Sequence, residues 1–95
     1  METLSDEEIT ERLTGALSAW DHAGGAIVRD HQVRDFAAAI ELVNAVAAAA
    51  EDANHHPDIL VHGWNHLRLT VSTHSAGGLT EADFALAKGI EALLR

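Results

Sequence analysis

The sequence predicts an α+β fold in the order α-β-β-α-β-β-α: a four-stranded antiparallel sheet with three helices packed on one face. Three observations carry this prediction. Apolar residues recur at helical spacing in three separate stretches, each opened by a capping residue. Two pairs of short segments lie between them, one-sided or alternating in polarity, with glycine at the turn inside each pair. Helices separated by hairpins place the helices together on one side of an antiparallel sheet.

Ser5-Asp6-Glu7-Glu8 opens the first helix. Ser5 caps it, Glu8 completes a capping box, and three acids in the first turn favour the positive end of the helix dipole. Ile9, Leu13, Ala16 and Leu17 form its apolar face, and the helix is expected to end near Ser18, with Gly15 weakening its last turns. Trp20 begins an extended segment, Gly24-Gly25 turns the chain, and residues 26–33 read as a strand. Its polar run Arg29-Asp30-His31-Gln32 implies one solvated face.

Asp35 caps a second helix over residues 36–53. Phe36, Ile40, Val43 and Ala47 form one apolar stripe, widened by Leu42, Val46 and Ala50. Glu51 and Asp52 sit in its last turn, where carboxylates oppose the dipole, so one of them is expected to have another task. Pro57 cannot continue the helix and pushes His56 to extended geometry. Residues 59–61 form a short strand, and His62-Gly63 reads as a bulge or tight turn. Residues 64–73 make the clearest strand, with Leu67, Leu69 and Val71 facing the core and Arg68, Thr70 and Ser72 facing away. Ser75-Ala76-Gly77-Gly78 is a loop. Thr80-Glu81-Ala82-Asp83 repeats the capping-box pattern and starts a third helix that runs to Leu94, buried along Phe84, Ala87, Ile90 and Leu94.

Size and charge narrow the function. Ninety-five residues with 47% hydrophobic content make one domain over 1–95. A core this small is marginal, so a homo-oligomer is expected. A net charge of -9 with scattered basic residues excludes nucleic acid as a partner and disfavours an anionic membrane. No apolar run approaches the roughly 20 residues that span a bilayer. There is no cysteine, which removes disulfides and thiolate chemistry. The acidic start is no signal region, and a cytoplasmic location follows as the default.

Seven histidines in so short an acidic chain are the unusual feature. His55-His56-Pro57 lies where the second helix yields to a strand, and His74 ends the long strand before a glycine loop. An exposed polar connection is the bland reading of the adjacent pair. The functional reading is proton transfer, because imidazole both gives and takes protons near neutral pH. Gly77 and Gly78 leave backbone groups open to a planar ligand, without the Lys or spacing of a phosphate loop. His62 and His66, four apart on the expected strand, would share a side with Trp64 between them. No zinc-enzyme pattern appears, so no metal is expected. Asp83 has a structural role as the third residue of its helix. No serine occupies a nucleophile-elbow sequence, which leaves non-covalent acid/base chemistry.

Glu51-x3-His55-His56-Pro57, Trp64-Asn65, Thr73-His74, Gly77-Gly78-Leu79-Thr80 and Asp83 together resemble the pterin-4a-carbinolamine dehydratase family. The Trp20 region and Val33-Arg34-Asp35-Phe36 extend the resemblance to nearly the whole chain. Two departures occur. One extra residue separates Pro57 from Trp64, falling at His62-Gly63, and Asn54 stands where some members have Asp. The resemblance implies the α+β fold, assembly as a homo-dimer or homo-tetramer, and a metal-free lyase. That lyase dehydrates 4a-hydroxytetrahydropterin to quinonoid dihydropterin and recycles the pterin of aromatic amino acid hydroxylases. The pterin is the substrate, so no cofactor is expected. His55, His56 and His74 match the catalytic histidines. Glu51 and Asp83 match supporting acids, with Glu51 expected at His55 and Asp83 at His74. Thr73, Gly77, Gly78 and Pro57 are the expected pterin contacts. The competing reading is a non-catalytic protein-binding or assembly module on the same fold.

Overall fold

The computed structural model of the protein describes residues 2–94. Three helices, α1 (Asp6–Arg12), α2 (Phe36–Ala53) and α3 (Glu81–Leu93), alternate with two hairpins, β1 (Asp21–Ala23) with β2 (Ala26–Gln32) and β3 (Asp58–His62) with β4 (His66–Val71). The strands form one antiparallel sheet in the order β1-β2-β4-β3. The predicted fold class is the observed one.

Pairing register separates the sheet's two faces. Ile27 opposes Val71, Arg29 opposes Leu69 and Ile59 opposes Leu69 from the other side, with His31, Leu67 and Val61 in the next row. This face meets the helices, and Ile27, Leu67, Leu69 and Val71 are fully buried there with Val46, Phe84, Ala87 and Ile90. The opposite face carries the rows Val28–Thr70–Asp58, Asp30–Arg68–Leu60 and Gln32–His66–His62. α3 lies against β4, and α2 packs beside α3. Glu91 ties this layer together, accepting from Trp20 Nε1 at 2.9 Å and Arg29 Nε at 3.0 Å. Burial holds the His31 imidazole below its ordinary pKa, and the nearby Arg29 guanidinium adds to this.

Four local expectations change. The first helix stops at Arg12, and one 3-10 turn follows at Gly15–Leu17. Gly15 sits at φ +58°, a left-handed conformation that ends α-helical geometry and favours glycine. On α2 the buried residues are Ala38, Ala39, Val46 and Ala50, while Phe36 and Ile40 are 54% and 39% exposed. Alanine lets α2 approach α3 closely, which turns the bulkier stripe outward. Trp64 lies in the β3–β4 turn at φ +59°, 62% exposed, and β4 begins only at His66. His62 and His66 therefore face each other across two strands. At the chain's far end, Leu94 caps α3 and is only half-buried.

Candidate active site

The end of α2 delivers the adjacent histidines. Asn54 adopts φ +49°, a left-handed cap that asparagine tolerates. The Asn54 amide donates to the Glu51 carbonyl and the His55 amide to the Ala50 carbonyl, both at 3.1 Å. This six-to-one and five-to-two pattern closes the helix and sets the direction in which His55 leaves it. Asn54 thus has a backbone reason for its place.

His55 turns inward. Its Nε2 lies 2.6 Å from Oδ1 of Asp83, which is fully buried at the third position of α3. Asp83 Oδ2 accepts from the Thr80 amide at 2.9 Å and from Thr73 Oγ1 at 2.7 Å. Thr73 and Thr80 hydroxyls are 3.0 Å apart. Since Thr73 spends its one proton on Asp83, Thr80 donates to Thr73. Every face of the buried carboxyl group thus has a partner, which is the condition for burying it. In a neutral ring that donates Nε2–H to Asp83, Nδ1 is the acceptor nitrogen of His55.

His74 begins a 3-10 turn one residue beyond Thr73. Its Nε2 is 3.3 Å from Ser72 Oγ, and the side chain is exposed. It lines a cavity of about 380 Å³ with Thr73, Asp58, Thr70, Gly77 and Gly78. Asp58 and Thr70 are cross-strand partners on the sheet face turned away from the helices. Thr73 is the residue shared by the two sub-sites: it walls the cavity and holds Asp83. Gly77 adopts φ +75°, so the loop folds over the cavity in a conformation that favours glycine.

Two expected pairings are exchanged. Asp83 anchors His55, where support of His74 was expected, and Glu51 contacts His56, where support of His55 was expected. Sequence spacing puts Glu51 one turn before His55, but the left-handed cap at Asn54 swings His55 inward and leaves His56 on the side of Glu51. His56 and Glu51 are both largely exposed and stand outside the cavity. Pro57 is half-buried between His56 and Asp58 and does not line the cavity either. His55 instead borders a smaller groove between α2 and α3, walled by Ala49, Ala53, Ala82, Ala85 and Gly89. Asp58 and Ser72 were missed as site residues. Ser72 was legible in the polar alternation of the strand expected over residues 64–73. Asp58 required the strand register.

The Pterin 4 alpha carbinolamine dehydratase profile matches residues 2–93. The chain belongs to this family. A relative from Nocardia farcinica, which carries the provisional name pterin-4-alpha-carbinolamine dehydratase, is 50% identical over 99% of this chain and 97% of its own length. A relative from Acidobacterium capsulatum with the same provisional name is 50% identical over 99% of this chain and its own full length. Among solved structures, one from Brucella melitensis described as a transcriptional coactivator/pterin dehydratase superposes with a TM-score of 0.91 at 31% identity, covering 99% of this chain and 100% of the other. A pterin dehydratase-like RuBisCO assembly factor of the alpha-carboxysome shares the fold, with a TM-score of 0.64 at 21% identity over 79% of this chain and 86% of its own. Pterin dehydration, a lyase reaction, is thus the family-level assignment. Among the described residues, no helix is long and apolar enough to cross a membrane.

Proposed function

We propose that the protein is a hydro-lyase that converts 4a-hydroxytetrahydropterin to quinonoid dihydropterin and water. The observation that carries this reading is the hydrogen-bonded chain from His55 through Asp83 to Thr73, ending beside His74 in the cavity. The reaction needs only proton transfers. The C4a–O bond breaks, the hydroxyl leaves as water with a proton from an acid, and a ring nitrogen gives up a proton to a base. His74 faces the cavity and is the group nearest the substrate in this reading. His55 is linked to the cavity through Asp83 and Thr73 and supplies further acid/base capacity, while His56, paired with Glu51, stands outside the cavity and takes part only through movement of the substrate or the chain toward it. Thr73, Gly77 and Gly78 contact the pterin ring. No cofactor takes part, and the product feeds the pterin cycle of aromatic amino acid hydroxylases in the cytoplasm.

The rival reading is a protein-binding or assembly module. The described roles of the two structural relatives, coactivator and assembly factor, favour keeping it in view. The placement of His74 on the cavity wall, beside the Thr73 that holds the Asp83–His55 pair, favours the enzyme, because it sets a proton-exchanging group against a space that a small ligand can enter.

The deciding experiment follows dehydration of enzymatically generated 4a-hydroxytetrahydropterin. The protein should speed it well above the spontaneous rate, and dialysis against a chelator should leave that rate unchanged. A rate equal to the spontaneous one would favour the module.

Self-association completes the proposal. Phe36 and Ile40 on α2 and Leu60 on the edge strand β3 remain exposed, at 54%, 39% and 49%. A chain of this size gains from covering them. Sedimentation equilibrium should return the mass of a dimer or tetramer, and a monomer at micromolar concentration would refute this part.

A further inference from the structure

The β3–β4 turn holds a second histidine cluster that the proposed reaction does not use. His62 and His66 are directly paired across the hairpin. Their rings stack with centroids 5.3 Å apart and planes 24° from parallel. His62 Nε2 is buried and has no hydrogen-bond partner, the one such side-chain atom among the described residues. A buried polar atom without a partner costs about 1–3 kcal/mol. The position therefore gains from a ligand that a nitrogen lone pair can bind.

The turn is built to hold these rings together. Gly63 and Trp64 are both left-handed, at φ +55° and +59°. For tryptophan that conformation costs about 1–2 kcal/mol. Asn65 offsets it: its carbonyl accepts from the Val33 amide at 2.8 Å and its side-chain amide donates to the Val33 carbonyl at 3.2 Å. This fixes the start of β4 against the chain just beyond β2. Glycine at 63 leaves room for the His66 ring, since a Cβ there would lie 3.2 Å from His66 Nδ1. Gln32 is the cross-strand partner of His66 and completes the row Gln32–His66–His62. In the next row Arg68 is engaged by Asp30 at 2.9 Å, so its charge is partly neutralised.

We propose that His62 and His66 form a chelating site for one borderline divalent transition cation, of the class of Ni²⁺ or Zn²⁺, bound through an imidazole nitrogen of each. Paired residues of an antiparallel ladder have Cβ atoms about 5 Å apart. Rotation about the side-chain bonds then brings two nitrogens within about 2 Å of a shared ion without moving the backbone. Imidazole is the ligand type these ions prefer. Among the described residues no group of three His, Asp or Glu forms a metal cluster. The remaining positions therefore go to water or to the Gln32 amide oxygen, and the ion stays exchangeable. Its effect is to staple β3 to β4 beside the turn that joins them. The site is separate from the candidate active site, and its occupancy leaves dehydration unaffected.

Ni²⁺ alone is the probe, titrated calorimetrically into the untagged full chain and followed by emission of the exposed Trp64, which the ion quenches. Wild type and His56→Ala should bind alike, which sets aside the adjacent histidines of the α2 end. His66→Ala and His62→Ala should each weaken binding by at least about tenfold. His62→Asn and His66→Asn keep a polar side chain in the turn, and they should weaken it equally should an alanine variant unfold. Saturating Ni²⁺ should raise the melting temperature of wild type but not of His66→Asn. Any of three results overturns the proposal: no binding by wild type up to about 1 mM, unchanged affinity in the His62 and His66 variants, or loss of binding in His56→Ala.

Discussion

Asp83→Ala is expected to destabilise the protein by about 3 kcal/mol and to remove most of the proposed dehydratase activity. Asp83 is fully buried and accepts from three elements: His55 at the end of α2, Thr73 beyond β4 and the Thr80 amide at the start of α3. Alanine leaves the Thr80 amide without its acceptor, removes the His55 contact and opens a void, while the Thr73 hydroxyl can turn to Thr80 Oγ1 at 3.0 Å. The orphaned Thr80 amide costs about 1–3 kcal/mol, the void left by the carboxyl group adds to this, and the partial exposure of His55 limits its loss. In a chain of this size, about 3 kcal/mol moves the melting temperature by roughly 12–24 °C. Urea unfolding of Asp83→Ala measures this directly. A change below about 0.5 kcal/mol would mean that the carboxyl group does not join these elements as described. The activity loss has a separate cause, because without Asp83 nothing sets which nitrogen of His55 carries the proton. Asp83→Asn separates the two effects. It fills the same volume and keeps one acceptor oxygen, so it should recover part of the stability and little of the rate.

Much of this fold was legible because strong local signals agreed with packing. The bounds of α2 follow from Asp35, whose side chain accepts from the Ala38 amide at 2.8 Å, and from the stop enforced ahead of Pro57. The core side of β4 follows from strict alternation, since a half-buried strand has no other way to place Leu67, Leu69 and Val71. The errors lie where tertiary contacts outweigh propensity. No sequence rule puts Trp64 in a left-handed turn; the two hydrogen bonds between Asn65 and Val33 do, and those residues are far apart in the chain. The apolar content of α2 was visible, but which stripe is buried depends on how closely alanines let α3 approach. In the candidate site, the residue types and their neighbourhood were legible, while the partners were not. Spacing brings Glu51 and His55 to the same turn, and only the conformation of Asn54 shows that His56 receives Glu51 and His55 goes to Asp83. Asp58 escaped notice because its place beside His74 depends on a β3–β4 register that one strand cannot reveal.

His74→Ala should lose activity as Asp83→Ala does but without its loss of stability: about 10²- to 10⁴-fold in dehydration rate, with stability within about 0.5 kcal/mol of wild type. The side chain is exposed, its only hydrogen bond among those described is to Ser72 Oγ at 3.3 Å, and nothing in the core rests on it. Its position is chemical: it is the imidazole that lines the cavity, beside a threonine already committed to Asp83. His74→Gln sharpens the test. Glutamine keeps a hydrogen-bonding side chain of similar size but does not exchange protons near neutral pH, so it should be as slow as alanine if proton transfer is the role. If His74 only orients the pterin, glutamine should restore much of the rate, with the defect appearing in KM. Ser72→Ala removes a single long contact and should cost only a few-fold. A full rate in His74→Ala would move the chemistry away from the cavity, toward the groove that His55 borders between α2 and α3.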